Sequence, residues 1–216
     1  MPSWWSSALP DFSPHAVGLM ADSHGVPSLI QGGLQRLTKA GCRFILHLGD
    51  ICDSDRPWTA AACVALLERH AVLAVCGNND QALVAAGGAI AREARRWLAG
   101  LPLMIETPSA LFVHSRADLE RLGKAAMIRD LDDESALGFL KRFPGRLLFR
   151  GHSHHAAIRC RSGGGLTRLP PPILDGPALR LPPGAVVTCE SLLSGSVWVW
   201  EPLPNTLRRL SPGGPG

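Results

Sequence analysis

The sequence predicts an α/β fold containing a parallel sheet, and two observations carry that prediction. Strand-like and helix-like segments alternate through the first eighty residues, the signature of right-handed βαβ units. Polar residues follow the strand-like segments at equal spacing, Asp22 to Asp50 and Asp50 to Asn78 both being 28 residues. After a Pro/Ser-rich leader, AVGLMA reads as a buried strand. PSLIQGGLQRLTKAG reads as a helix with Leu29, Ile30, Leu34 and Leu37 on one side, ended by Gly41. RFILHL is the second strand, WTAAACVALLERH the second helix and AVLAVC the third strand. From about residue 89, AIAREARRWLAG reads as a helix before the short strands PLMIE and ALFVHS. DLDDESALGFLKRF is a further helix with Asp132 and Asp133 near its start, where acids complement the helix dipole, and the strand RLLFR follows it. Beyond residue 160 the chain is rich in Pro and Gly, with β-like pieces AVVTC, SVWVWE and TLRRL that a second sheet, mostly outside the βαβ region, would accommodate.

Length and composition bound the function classes. At 216 residues with 46% hydrophobic and 19% charged residues, the chain fits one medium domain with a sizeable core. The expected division is a leader over 1–14, one domain over 15–210 and a flexible tail over 211–216. A net charge of +4 without a run of five or more like charges permits nucleic-acid binding but does not imply it. No stretch resembles a signal peptide or a membrane span. The six cysteines form no CxxC pair, which suits a reducing, cytoplasmic compartment. Oligomeric state is not legible.

The chemistry sits at strand ends. Asp22 and His24 follow the first strand, Asp50 the second and Asn78 the third, where open α/β sheets build their sites. His114 ends the later strand ALFVH, and His152 and His154 follow RLLFR. Carboxylate, imidazole and amide oxygen together suit divalent ions such as Mn, Fe, Ni or Zn, and Asp50 is the natural carboxylate to bridge two of them. A pair of ions can activate water and clamp a phosphoryl group. Each motif has a plainer reading as an N-cap, a turn or a solvated loop. Their ordered occurrence, with two of only three asparagines in GNND, argues against chance.

The chain resembles the calcineurin-like metallophosphoesterases, through Asp22-Ser23-His24, Gly49-Asp50, Gly77-Asn78-Asn79-Asp80, His114 and Gly151-His152-Ser153-His154, and among them looks most like the small bacterial and archaeal phosphodiesterases. The resemblance implies a four-layer α-β-β-α sandwich of two mixed sheets flanked by helices. It implies a metal-dependent phosphoric ester hydrolase with Asp22, His24 and His154 on one ion, Asn78, His114 and His152 on a second, and Asp50 bridging both. Manganese is the expected metal, with a bridging hydroxide attacking phosphorus in line. Asp50, Asn78 and His152 are the expected catalytic residues, and Asn78, Asn79 and His155 the expected substrate contacts.

Three departures shape the substrate expectation. Asn79 stands where many members carry a histidine that serves the leaving group, which favours phosphodiesters, a nucleotide among them, over monoesters with poor leaving groups. Ser115 replaces the usual glycine after His114, and VVTCESLLSGS replaces an NPGS-like turn. The rival readings are a phosphomonoesterase acting on protein phosphate or dinucleoside polyphosphate, a nuclease, and a catalytically weak metal-binding scaffold. His47 is expected either in the core or orienting Asp50, Trp4, Trp5, Trp198 and Trp200 are expected to pack, and the Pro-rich segment 169–184 is expected to be a structural loop or a lid.

Overall fold

The computed structural model describes residues 11–87, 90–118 and 127–211. The leader through residue 10, with Trp4 and Trp5, and the tail from residue 212 lie outside them. The described strands are β1 (Val17–Met20), β2 (Phe44–His47), β3 (Leu73–Ala74), β4 (Met104–Glu106), β5 (Ala110–Val113), β6 (Leu147–Arg150), β7 (Ala157–Ser162), β8 (Gly165–Leu169), β9 (Leu179–Arg180), β10 (Ala185–Thr188), β11 (Val197–Glu201) and β12 (Thr206–Leu210). The helices are α1 (Pro27–Lys39), α2 (Ala60–Arg69), α3 (Asn78–Ala86), α4 (Arg92–Ala99) and α5 (Asp133–Arg142).

Two mixed six-stranded sheets result, ordered β3-β2-β1-β11-β12-β9 and β4-β5-β6-β10-β7-β8. The βαβ prediction holds at β1, β2 and β3, which pair in parallel. Alternation along the strands builds the layers. Val17, Leu19, Leu46, Phe112, Phe149, Trp198 and Trp200 meet between the sheets. Met20, Val197 and Val199 face the other way, onto Ile30, Leu34 and Leu37 of α1 and onto α2 to α4. Gly18 in β1 leaves room for α1, since a Cβ there would lie 2.9 Å from Leu37. On the outer face of the second sheet, Leu111, Val113, Leu148 and Val186 pack against Ala136, Phe139 and Leu140 of α5. The expected α-β-β-α sandwich is therefore present.

Three details differ from the sequence expectation. SVWVWE and TLRRL do not join the second sheet: β11 pairs antiparallel with β1, and β12 with β11, so the first sheet ends in C-terminal strands. The reason is burial, because β1 is apolar on both faces and needs a neighbour on each edge. GNND does not form an isolated turn but starts α3, with Gly77 as N-cap and the Asp80 carboxylate accepting the Gly77 N–H at 3.0 Å. Residues 157–169 form the antiparallel β7–β8 hairpin closed by a Gly-Gly turn, whereas the sequence shows only Gly-rich chain there. The segment 169–184 is a structural loop stitched to the first sheet, since Leu179 and Arg180 pair with β12 and Asp175 meets Arg36 at 2.9 Å.

The inter-sheet core rests on Trp200, which is 1% exposed and lies 5.0 Å from the Phe149 ring. Replacing Trp200 by alanine is expected to lower the unfolding free energy by about 3–5 kcal/mol, read from the denaturant midpoint. A loss under about 1 kcal/mol would show that the two sheets do not depend on this ring.

Candidate metal centre

The site forms where the carboxyl ends of β1, β2, β5 and β6 and the start of α3 meet. Each strand passes into a sharp turn that throws a polar side chain back across the gap between the sheets. The turns are conformationally costly: Asp22, His24, Asp50, His152 and His154 all have positive φ, between 45° and 73°. Five of the seven expected ligands thus occupy a backbone region that side chains rarely adopt, and such strain gathers at functional sites. Two glycines make the close approach possible. A Cβ on Gly77 would fall 2.0 Å from the Asp50 nitrogen, and one on Gly151 would fall 2.6 Å from Asp22 Oδ2.

All seven residues converge, in two overlapping groups. In the first, His24 Nε2 lies 3.0 Å from His154 Nε2, and His154 Nε2 lies 3.5 Å from Asp22 Oδ1. In the second, Asn78 Oδ1 lies 2.9 Å from His114 Nε2 and 3.0 Å from His152 Nδ1, and the two rings approach to 3.1 Å. Asp50 spans both groups, with Oδ2 3.9 Å from His24 Nε2 and Oδ1 3.5 Å from His114 Nε2. Ligand atoms of Asp22, His24 and His154 all lie within 4.8 Å of one another, as do those of Asp22, Asp50 and His114.

Proton bookkeeping tests whether a cation fits. His114 is fully buried, and its Nδ1 meets the Leu48 carbonyl at 2.9 Å, so Nδ1 carries a hydrogen and Nε2 is the nitrogen left to act as a ligand. Asn78 Oδ1, facing it, is also an acceptor. His152 Nδ1 can bring at most one proton to this triangle, and its burial holds the ring below the usual histidine pKa. Acceptor atoms crowded this closely suit a cation between them, and imidazole, amide oxygen and carboxylate suit a divalent transition ion.

A second layer of contacts holds the donors. Asn79 donates from its backbone N and from Nδ2 to the two Asp50 oxygens, each at 2.8 Å, so it fixes the central carboxylate. His24 Nδ1 meets Asp53 Oδ2 at 3.3 Å. The buried Asp80 accepts from the backbone N–H groups of Ile51, Cys52 and Gly77, tying the Asp50 turn to the start of α3. Burial first and the nearby Asp50 charge second push Asp80 up to about 7. Ser191 Oγ donates to the Asp22 carbonyl at 2.6 Å, so the segment replacing the NPGS-like turn has a role in placing Asp22. Burial opposes the Asp22 charge, but the hydrogen bond with His154 and the neighbouring histidines hold its carboxyl below the usual range; the same contact raises His154. His155 is exposed, with Nδ1 on the Ser153 carbonyl.

His47 acts on Ser23, not on Asp50. Ser23 Oγ donates to the Ile51 carbonyl at 3.0 Å and so accepts from His47 Nε2, also at 3.0 Å. Sequence reasoning missed Asp53 and Ser191, and it named Asp80 only as part of the GNND motif. Only Asp80 had a local signal, an acid three residues after a helix N-cap.

A family model described as the calcineurin-like phosphoesterase superfamily domain matches residues 16–197. Among solved structures, a metallophosphoesterase from Sphaerobacter thermophilus is similar at 20% identity and TM-score 0.68, covering 90% of this chain and 87% of that one. The protein TT1561 of Thermus thermophilus is similar at 9% identity and TM-score 0.56, covering 93% and 100%. A protein serine/threonine phosphatase from Saccharomyces cerevisiae is similar at 14% identity and TM-score 0.52, covering 95% and 82%. At these identities the structures show a shared fold. No curated protein matches the chain.

Burial holds His47 neutral, pulling its pKa down from 6.5 to about 3. Below pH 6.5 the unfolded chain takes up a proton that the folded chain refuses, so stability falls as pH drops from 6.5 towards 3. By about pH 5 the loss is about 2 kcal/mol. His47→Gln, which keeps a donor for Ser23 but does not titrate, is expected to shrink the stability difference between about pH 7.5 and about pH 5 by that amount in urea unfolding. An unchanged difference would mean that His47 titrates freely.

Proposed function

The chain belongs to the calcineurin-like phosphoesterase superfamily, and on that premise we propose that its centre hydrolyses phosphodiesters with two divalent ions, manganese foremost. The observation that carries this reading is Asp50, whose two oxygens reach towards histidines of both donor groups. In the proposed assignment Asp22, His24 and His154 hold one ion, Asn78, His114 and His152 the other, and Asp50 both. Two ions held there would lower the pKa of bound water and offset charge on the phosphoryl oxygens.

The protein's own groups do the rest. Asn79 clamps Asp50 so that both carboxylate oxygens stay in place. The Leu48 carbonyl fixes the His114 tautomer that leaves Nε2 free to ligate, and Asp53 does the corresponding work at His24 Nδ1. Asn78 orients a phosphoryl oxygen beside the pair His114 and His152. The preference for diesters rests on position 79, where an amide committed to Asp50 cannot protonate a leaving group. A diester whose leaving group departs without a strong acid is the matching substrate. A cytoplasmic location accords with the free cysteines and with the absence, among the described residues, of a helix long and apolar enough to cross a membrane.

Protein stripped of metal and resupplied with manganese is expected to turn over a bis-nitrophenyl phosphodiester faster than nitrophenyl phosphate. Faster monoester turnover would replace the diester reading with a phosphatase. Asp50→Asn is expected to bring diester turnover below detection while the circular dichroism spectrum stays unchanged, and full activity in that variant would remove Asp50 from its bridging role.

A further inference from the structure

We propose that Trp58 and Arg56 form a platform for the base of a nucleoside phosphate whose phosphoryl group sits on the donor cluster, an inference that rests on the phosphoester reading of that cluster. Trp58 is 73% exposed and is, among the described residues, the one aromatic in the set of large exposed hydrophobic side chains. Its indole has no aromatic or cationic partner among the described residues. An indole left in water at that exposure contributes little to the fold, so removing it should cost little stability.

The position of the ring gives it a use. Trp58 lies in the short 3-10 turn Pro57–Thr59, on the segment that runs from Asp53 beside His24. Asp53 Oδ2 touches His24 Nδ1 at 3.3 Å, and the Gly25 N–H donates to the Ile51 carbonyl at 2.9 Å. The loop then tightens on itself, with the Arg56 N–H on the Asp53 carbonyl at 3.1 Å and the Thr59 hydroxyl on the Arg56 carbonyl at 2.8 Å. Thr59 Oγ1 comes within 2.7 Å of where a Cβ on Gly25 would stand, and the Arg56 Cβ within 3.5 Å of the same point. Trp58 is therefore one peptide bond from a residue packed against the neighbour of His24, on a loop with little freedom to move away. Arg56 is exposed and has no ion pair among the described residues.

A flat apolar ring and an exposed guanidinium two residues apart on one segment beside the donor cluster match the two halves of a nucleotide. Bases stack on indole with little regard to sequence, because every base has a π face, and the guanidinium meets the sugar-phosphate charge. The indole offers nothing to a phosphate that lacks a base, which is what makes its part in the assignment testable.

The test is calorimetric titration of adenosine 5′-monophosphate and, separately, inorganic phosphate into manganese-loaded protein and its Trp58→Ala and Trp58→Phe variants. Adenosine monophosphate affinity is expected to fall about tenfold or more in Trp58→Ala and to be largely kept in Trp58→Phe, while phosphate affinity stays the same in all three. Equal adenosine monophosphate affinity in all three proteins, no binding by the unaltered protein, or an equal loss for phosphate would overturn the platform. Because binding is read without turnover, a failure of the diester assay leaves this result interpretable, and the two readings fall separately.

Discussion

The centre depends on a seam of hydrogen bonds that closes the carboxyl edges of the two sheets on each other. His114, from the second sheet, reaches the Leu48 carbonyl of the first at 2.9 Å. The His152 N–H, also from the second sheet, meets both oxygens of Asp22, at 3.0 and 3.2 Å. Each bond does two things, because the group that joins the sheets also belongs to the cluster of polar side chains or is the backbone of one. The fold cannot loosen at this edge without moving the donors, and the donors cannot be removed without opening the edge.

That double use explains the local cost the structure carries. Five positive-φ residues, a buried His47 and a buried Asp80 would each be unfavourable alone. They are held by partners that satisfy them: Ser23 for His47, and three backbone N–H groups for Asp80. The cost is borne by the layers behind the seam. Stacked Phe112 and Phe149 rings, 5.4 Å apart, and the two buried tryptophans of β11 supply the apolar contact that keeps the sheets together. Burial there and strain at the edge belong to one arrangement, since a looser core would let the turns relax to ordinary backbone angles.

The centre is buried and held, while the segment beside it presents its side chains to solvent. The donor groups are buried or half-buried and multiply bonded, whereas the loop carrying Arg56 and Trp58 exposes its side chains. A phosphoester centre of this kind needs fixed ligands, because misplacing them by an ångström changes the charge seen by the transition state.

The sequence alone determined the α/β class, the parallel run of β1, β2 and β3, and the seven polar positions at the strand ends, because these are properties of local pattern. An apolar run followed by a turn residue and a polar ligand is written in consecutive residues, and its repeat after 28 residues is visible without any contact. What it left open was pairing between distant segments. Nothing in SVWVWE says that it will lie beside β1 and not beside AVVTC, since both candidates present an apolar edge; the choice follows from which buried strand lacks a neighbour once the layers pack. The same holds at the site. Whether His47 or Asn79 would orient Asp50 was open, because hydrogen-bond partners are assigned by proximity across 24 to 29 residues of chain, and only the folded backbone sets that proximity. Ser191 is 169 residues from the carbonyl it holds, and the tertiary structure alone brought the two together.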